Sequence, residues 1–519
     1  MSAGPQVVGG TSADRVALIE ALSSEGEGLL IALPTLDRHG ELDAAASLAS
    51  LVSGLDDSAA RANARSGGPS PRVLIVSSTW AQPPIYTHAG LVRERPASAL
   101  AGRHPSSDPW CRWEESAAAE ADSRSCAWRC LRPAPVRRRC GADRWNRLLD
   151  ARRPAVPLGF SPPIQALHLE DFHRGLRWAA SRFDDLPPVT HLAPEDAVPL
   201  REALAWLGAR RRRVPYSVLS LWRRCRRLFG GPAPHGLGRL RYPATVSGET
   251  AASLDFLPEH GTASALGIGA PDVRSDPHGL RPDVIEVARR TVFKWLHDRW
   301  WRVEVEAPEH LPAQGPALLM GVHRGLVPFD AMMILHAVVG ASGQIPRFLI
   351  HPALLRFPLI GDFMRALGGV VACRENADWV LSRGEILGLF PEGVRGAFSP
   401  IRDAGVVQRF GRAEFVRLAV RHRAPCHLFV TVGSAEVYPI LTAFDWPRWK
   451  RWSGWPNLPI PATPIPLPVK WRTRCLEPLS IDAPKADRAA VKRYATDVYD
   501  RLQSTLDELR KRRRGWFRG

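Results

Sequence analysis

Ala317-Leu-Leu-Met-Gly-Val-His-Arg-Gly-Leu-Val-Pro-Phe-Asp330 decides how this chain is read. The apolar run 317–322 suits a buried parallel strand, and it delivers His323 at its C-terminal end. Gly325 and Pro328 let the next loop fold back, and Asp330 opens an apolar helix expected over 331–339. In α/β sheets, ligands are met beyond the carboxyl ends of the strands. A carboxylate placed there can hold the imidazole in one tautomer while the other ring nitrogen takes a proton. The plainer alternative is a surface histidine and an aspartate capping a helix.

Working outward, Gly368-Gly-Val-Val-Ala-Cys-Arg374 reads as a strand ending in arginine, and Ile386–Phe390 as another strand. It runs into Leu389-Phe-Pro-Glu-Gly-Val-Arg395. A helix is expected over 412–421 and a strand over 426–432, followed by Gly433-Ser-Ala-Glu436 and Tyr438-Pro439. Strand and helix patterns also alternate earlier, with Arg72-Val-Leu-Ile-Val-Ser77 and Ala127-Trp-Arg-Cys-Leu-Arg132 as strands and helical stretches around 117–121 and 201–207. Alternation of this kind implies doubly wound α/β architecture. Between the halves, 261–283 (GTASALGIGAPDVRSDPHGLRPD) lacks apolar periodicity and reads as a linker. The expected organisation is two α/β domains, 1–260 and 284–509, the linker 261–283, and a basic-aromatic tail 510–519.

The 519 residues carry 70 Lys+Arg against 52 Asp+Glu, a net charge of +18, with 45% hydrophobic residues. That is globular composition with an anionic partner in view: phospholipid, nucleic acid or a phosphorylated substrate. A mean hydropathy of −0.16, with no apolar run of ~18 residues, argues against a spanning helix. The start, Met1-Ser2-Ala3-Gly4-Pro5, shows no secretory signal. The eight cysteines form no CxxC or Cys/His pair at ligand spacing, so no metal is expected and the thiols read as reduced. The arginine clusters 210–213 and 223–227 lack interleaved aromatics and any nucleic-acid motif, so no nucleic-acid partner is expected.

The four ordered blocks after 317 resemble the glycerol-phosphate/lysophospholipid acyltransferase superfamily: a His…Asp block, a block ending in Arg374, Phe390-Pro-Glu-Gly393, and a fourth strand. Pro464-Ile-Pro-Leu-Pro-Val-Lys-Trp471 and Leu476-Glu-Pro478 resemble the branch near monoacylglycerol and diacylglycerol acyltransferases. The resemblance implies an acyltransferase α/β fold and transfer of a fatty acyl group from acyl-CoA or acyl carrier protein to a glycerolipid or lysophospholipid hydroxyl. It makes His323 the general base and Asp330 its orienting partner. Glu392 and Gly393 would shape the acceptor pocket, and Arg374 and Arg395 would bind a polar head group. A mutual ion pair between Arg374 and Glu392 is the alternative. The superfamily's usual Asn-His-x-x-x-x-Asp is altered, because Val322 precedes the histidine and six residues separate it from Asp330.

In the first half, Val73–Trp80, Leu131-Arg-Pro-Ala134, His168-Leu-Glu-Asp171, His191-Leu-Ala-Pro194 and Arg241-Tyr-Pro243 resemble the extended short-chain dehydrogenase/epimerase family. This implies a Rossmann-like fold, here incomplete. Gly9-Gly10-Thr11 is no glycine-rich phosphate loop. Trp110 and Glu114 stand where the family's Tyr-x-x-x-Lys pair belongs, and the first lysine of the chain is Lys294. NAD(P) is therefore not expected, and no other cofactor is.

A lipid acceptor implies a membrane surface as partner. The helix from Val284 to Trp301 mixes arginine with tryptophan, and the tail carries Arg510–Arg514 beside Trp516 and Phe517, compositions that suit an anionic interface. The leading expectation is thus a peripheral acyltransferase on the cytoplasmic face. An epimerase-type oxidoreductase and a non-enzymatic lipid-binding protein are the competing readings.

Overall fold

The computed structural model describes residues 6–10, 15, 29–37, 42–64, 72–81, 91–94, 109–138, 143–228, 237–269, 275–411, 413–483, 485–513 and 515–517. Thr11, Arg412, Arg514 and the first five residues, on which some expectations fall, lie outside them. The chain divides into two compact units, 1–279 and 280–519.

The first unit is built on five parallel strands: Gln6–Val8, Leu29–Ala32, Arg72–Val76, Ala127–Pro133 and Val189–Leu192. They lie side by side in chain order. Leu29–Ala32 and Arg72–Val76 are near-continuous runs of Val, Leu and Ile, as suits strands covered on both faces. Leu74 and Val76 point to a core with Phe172 and Leu176, while Val73 and Ile75 pack with Trp113 and Ala117. Each connection steps in the same direction, so no reversal of strand order occurs among the described strands.

The expected linker 261–283 is folded over most of its described length. Thr262–Ala265 forms a helical turn whose Ala263 joins Leu266 and Ile268 in a buried cluster with Leu200 and Leu204. Ser275 pairs with Ala197 in an antiparallel bridge. Glycine and proline here shape tight turns around small apolar anchors, and the helix of the second unit already begins at Pro282.

The main sheet of the second unit sets seven described strands in the order Glu304–Glu306, Arg472–Cys475, Cys426–Val432, Ala317–Gly321, Ile386–Leu389, Arg347–Ile350, Val370–Val371. All neighbours are parallel except Cys426–Val432 with Arg472–Cys475. Ala317–Gly321 lies at the centre and is fully buried. Burying side chains such as Leu318, Leu319 and Met320 stabilises the sheet by ~1.5–3 kcal/mol each. A Cβ on Gly321 would come within 2.4 Å of the Phe429 ring, so the close approach of these two strands needs glycine.

Strand order reverses here. From Ala317–Gly321 the chain passes to Arg347–Ile350 on one side. From the adjacent Ile386–Leu389 it crosses back to Cys426–Val432 on the other. The carboxyl ends of these two central strands therefore flank a topological switch point, where side connections diverge and leave a crevice. His323 follows one strand and Phe390–Gly393 the other.

Two interfacial expectations change. The helix beginning at Pro282 does run to Trp300, in part through wider π-type turns. Trp301, however, is buried and stacks on Trp471 at 4.6 Å, so it serves the core. The tail is not a free end through residue 517. The Arg488–Arg512 helix enters it, Arg513 Nη1 donates to Glu436 Oε1 at 2.5 Å, and Lys470 N donates to Trp516 O at 2.9 Å.

Candidate active site

His323 and Asp330 meet at 2.8 Å, Nδ1 to Oδ2. Asp330 is 1% exposed and sits in the first turn of the Phe329–Ser342 helix. Its Oδ2 also accepts from Arg324 N at 3.0 Å, and its Oδ1 from Ala331 N at 2.8 Å. Gly325, at φ +102°, makes the reversal that carries the chain from the strand end back over this carboxylate. A carboxylate on Nδ1 fixes that nitrogen as the donor and leaves Nε2 with its lone pair. Nε2 has no partner among the described residues.

The imidazole stacks on Phe390, with centroids 4.3 Å apart, and lines a cavity of about 320 Å³. Leu326, Met332, Phe348, Leu354, Phe398 and Trp455 supply much of its wall. Besides His323, the other titratable group in that wall is His351, which stacks on Trp455 at 4.5 Å. Burial pushes its pKa below the usual histidine value, so it is neutral at pH 7. The cavity is an apolar chamber with one oriented base at its wall.

Glu392 stands outside this lining. Its Oε1 accepts from His323 N at 3.2 Å, and its Oε2 accepts from Arg324 Nη1 at 2.6 Å and Gln408 N at 2.7 Å. It is thus a buried brace that ties the Phe-Pro-Glu-Gly turn to the histidine loop. Gly393 does line the cavity. Arg374 does not: its side chain is 52% exposed, and its Nε lies 3.6 Å from Glu414 Oε1. The alternative Arg374–Glu392 ion pair is absent as well, because Glu392 pairs with Arg324. Arg395 is exposed and also outside the cavity lining. Arg324, His351 and Trp455 are site residues to which the sequence reading gives no role, and Phe390, though part of the Phe-Pro-Glu-Gly block, has none there either. For Arg324 and Phe390 adjacency to His323 and Glu392 is the available signal.

Nothing here supplies an activated thiol. Cys373, just beyond the Val370–Val371 strand, is pushed up to about 11 by burial, and Cys426 and Cys475 to about 12.

A family model described as acyltransferase matches residues 302–441, the span that holds the dyad, the cavity wall and the brace. An uncharacterized protein of Mycobacterium leprae, ML2427, is 34% identical over 265 residues, covering 48% of this chain and 71% of that protein. The chain belongs to the acyltransferase family. A second relative of this acyltransferase is the "DGAT1/2-independent enzyme synthesizing storage lipids" of Bos taurus, 24% identical over 40% of this chain and 60% of that protein. Among solved structures, human epimerase family protein SDR39U1 with NADPH matches at a TM-score of 0.34 and 14% identity, covering 48% of this chain and 84% of that one.

In the first unit, Glu114, expected at the place of the family's Tyr-x-x-x-Lys pair, is held in a buried ion pair. Glu114 Oε1 accepts from Ser77 Oγ at 2.5 Å and from Arg132 Nε at 2.8 Å, and Oε2 accepts from Arg132 Nη2 at 2.5 Å. Burial works against the Arg132 charge, but the Glu114 carboxylate outweighs it and raises the guanidinium pKa. Gly9 and Gly10 are both left-handed, yet their carbonyls accept from Arg15 Nη1 at 3.1 and 3.4 Å. A pyrophosphate needs N–H groups at such a turn, and this one is held by a cation bound to its carbonyls. Among the described residues, this turn therefore presents carbonyls rather than N–H groups to the guanidinium it holds.

Proposed function

We propose that the second unit transfers a fatty acyl group from a thioester, acyl-CoA or acyl carrier protein, to the hydroxyl of a lipid acceptor at a membrane surface. The observation that carries this reading is the Asp330-oriented His323 at the wall of a chamber otherwise almost wholly apolar. His323 Nε2 takes the acceptor's hydroxyl proton as its oxygen attacks the thioester carbonyl. The carbon–sulfur bond then breaks, and the imidazolium returns the proton to the leaving thiolate, giving ester and free thiol. Asp330 stabilises the imidazolium between these steps.

The lining favours a neutral glycerolipid over a lysophospholipid, because no arginine or lysine is among its described residues and both Arg374 and Arg395 lie outside it. Membrane contact is supported by the chamber's surroundings. Leu359, Ile360 and Phe363 are exposed between the lining residues Leu354 and Met364. The exposed Trp452 lies beside Phe357, 6.1 Å between rings, on a helix with exposed Arg448, Lys450 and Arg451. No described helix is long and apolar enough to cross a membrane. We place the protein peripherally on the cytoplasmic face, with no nicotinamide bound in the first unit.

Labelled acyl-CoA, offered to the full chain with monoacylglycerol, a long-chain alcohol or a lysophospholipid in mixed micelles, tests the reading. Ester should form fastest on a neutral acceptor, and His323→Ala should lower kcat by at least ~10² at matched folding. Equal turnover by the parent and His323→Ala would overturn the mechanism.

A further inference from the structure

Adjacent to the histidine loop, a second cavity of about 190 Å³ shares no lining residue with the apolar chamber. His323 lines one and Arg324 the other. The second is polar, with Arg324, Arg510, Arg513, Ser434, Glu436 and Trp516 in its wall. Of its three guanidiniums, Arg324 is offset by Glu392 and Arg513 by Glu436, which leaves Arg510 as the uncompensated charge.

The unusual feature is a set of buried donors without acceptors. Ser434 Oγ, Arg324 Nε and Arg513 Nε all lack a hydrogen-bond partner among the described residues. Ser434 is 3% exposed, and the Arg324 and Arg513 side chains 3% and 8%. The Arg510 guanidinium makes no hydrogen bond or ion pair with a described residue either. Buried polar groups are nearly always satisfied, so each exception calls for a missing partner. The two buried guanidinium nitrogens can take only acceptors, the Ser434 hydroxyl can donate to one, and the exposed Arg510 adds a further positive charge. Guanidiniums in this density match oxyanions, whose several oxygens accept charge-assisted hydrogen bonds at once.

We propose that this cavity binds a phosphate monoester group. The inference is independent of which reaction the apolar chamber performs. The group could belong to the nucleotide end of a thioester donor, to a phosphorylated lipid head group or to free phosphate. Arg324 would link it to the dyad, since the same guanidinium holds Glu392, which in turn holds the His323 backbone.

Titration calorimetry on the full chain tests this with inorganic phosphate, adenosine 3′,5′-bisphosphate and glycerol 3-phosphate, at constant ionic strength with chloride as control. At least one should bind saturably with Kd below ~1 mM, and the tightest of the three identifies the source. Arg510→Ala, which removes an exposed and unpaired side chain, should weaken that binding ~10-fold. Ser434→Asp sets a carboxylate among the unsatisfied donors, so it should abolish binding while raising Tm. No saturable binding by any of the three, or binding that is unchanged in both variants, would overturn the proposal. Acyl transfer enters none of these readouts, so a failure here and a failure of the acyltransferase mechanism remain distinct.

Discussion

The Asp330 carboxylate accepts three hydrogen bonds at once, from His323 Nδ1, Arg324 N and Ala331 N. It thereby holds the base and the loop that carries it. An asparagine keeps the shape but has a single, uncharged acceptor oxygen, so an NH₂ group faces either the imidazole and the Arg324 amide together or the Ala331 amide. Asp330→Asn should therefore lower kcat by ~10² or more with KM little changed, because the loss is felt where the imidazolium forms. With His323→Ala already in place, adding Asp330→Asn should cost almost nothing further, since residues that act as a unit are non-additive. Independent, multiplying losses in the double variant would sink the dyad. His323 and Asp330 are legible in the sequence because a strand, a Gly/Pro reversal and a helix start lie within fourteen consecutive residues. Glu392 is legible as a motif residue but not as a brace. Its partner Arg324 lies 68 positions away, and linear sequence carries no register between two strand ends. Arg374 illustrates the converse: the motif names it, while the fold turns it to solvent beside Glu414.

At the scale of elements, strand identity follows from composition and strand order does not. Cys426–Val432 is β-rich and bounded by Pro425 and Gly433, so its limits are readable. Its place beside Ala317–Gly321 is not, because that depends on a crossover from Ile386–Leu389. The exposed aromatics near the chamber are equally hard to foresee. The Arg-Trp-Lys-Arg-Trp run at 448–452 takes on meaning once the fold sets Trp452 beside Phe357. Trp452 is 64% exposed and Leu359 67%, an apolar area that water disfavours and an acyl boundary accepts. Basic residues near an anionic leaflet each contribute about 1 kcal/mol. Flotation with vesicles of phosphatidylcholine and phosphatidylglycerol should therefore show binding that weakens several-fold in Phe363→Ala and in Trp452→Ala. Replacing the glycerol-headed lipid by phosphatidylcholine alone should weaken it too. Unchanged flotation in both variants would move the membrane face elsewhere, with the exposed Val287, Val292 and Trp295 of the helix 282–300 the next to vary.

Over the whole molecule, two sheets built from similar apolar strands have different capacities, and strand order explains the difference. The first unit's sheet runs in chain order and leaves no switch point among its described strands, and Glu114 there is committed to a buried pair with Arg132. The second unit's sheet reverses at its centre, opens a crevice there, and puts a histidine in it. Every residue of the dyad, the brace and both cavities lies between 280 and 519, and the seven-stranded sheet is complete within that range. A fragment of residues 280–519 should consequently fold cooperatively and keep the full chain's kcat within a few-fold, because no catalytic contact is removed. The same assay on the full chain should be indifferent to added NADPH, and titration should show no saturable binding below ~100 μM. If the fragment is inactive or aggregates while the full chain turns over, the first unit contributes structure to the acyltransferase. If NADPH binds or alters the rate, that unit retains a nucleotide site despite its sequential sheet, and the link drawn here between strand order and ligand crevice fails for this protein.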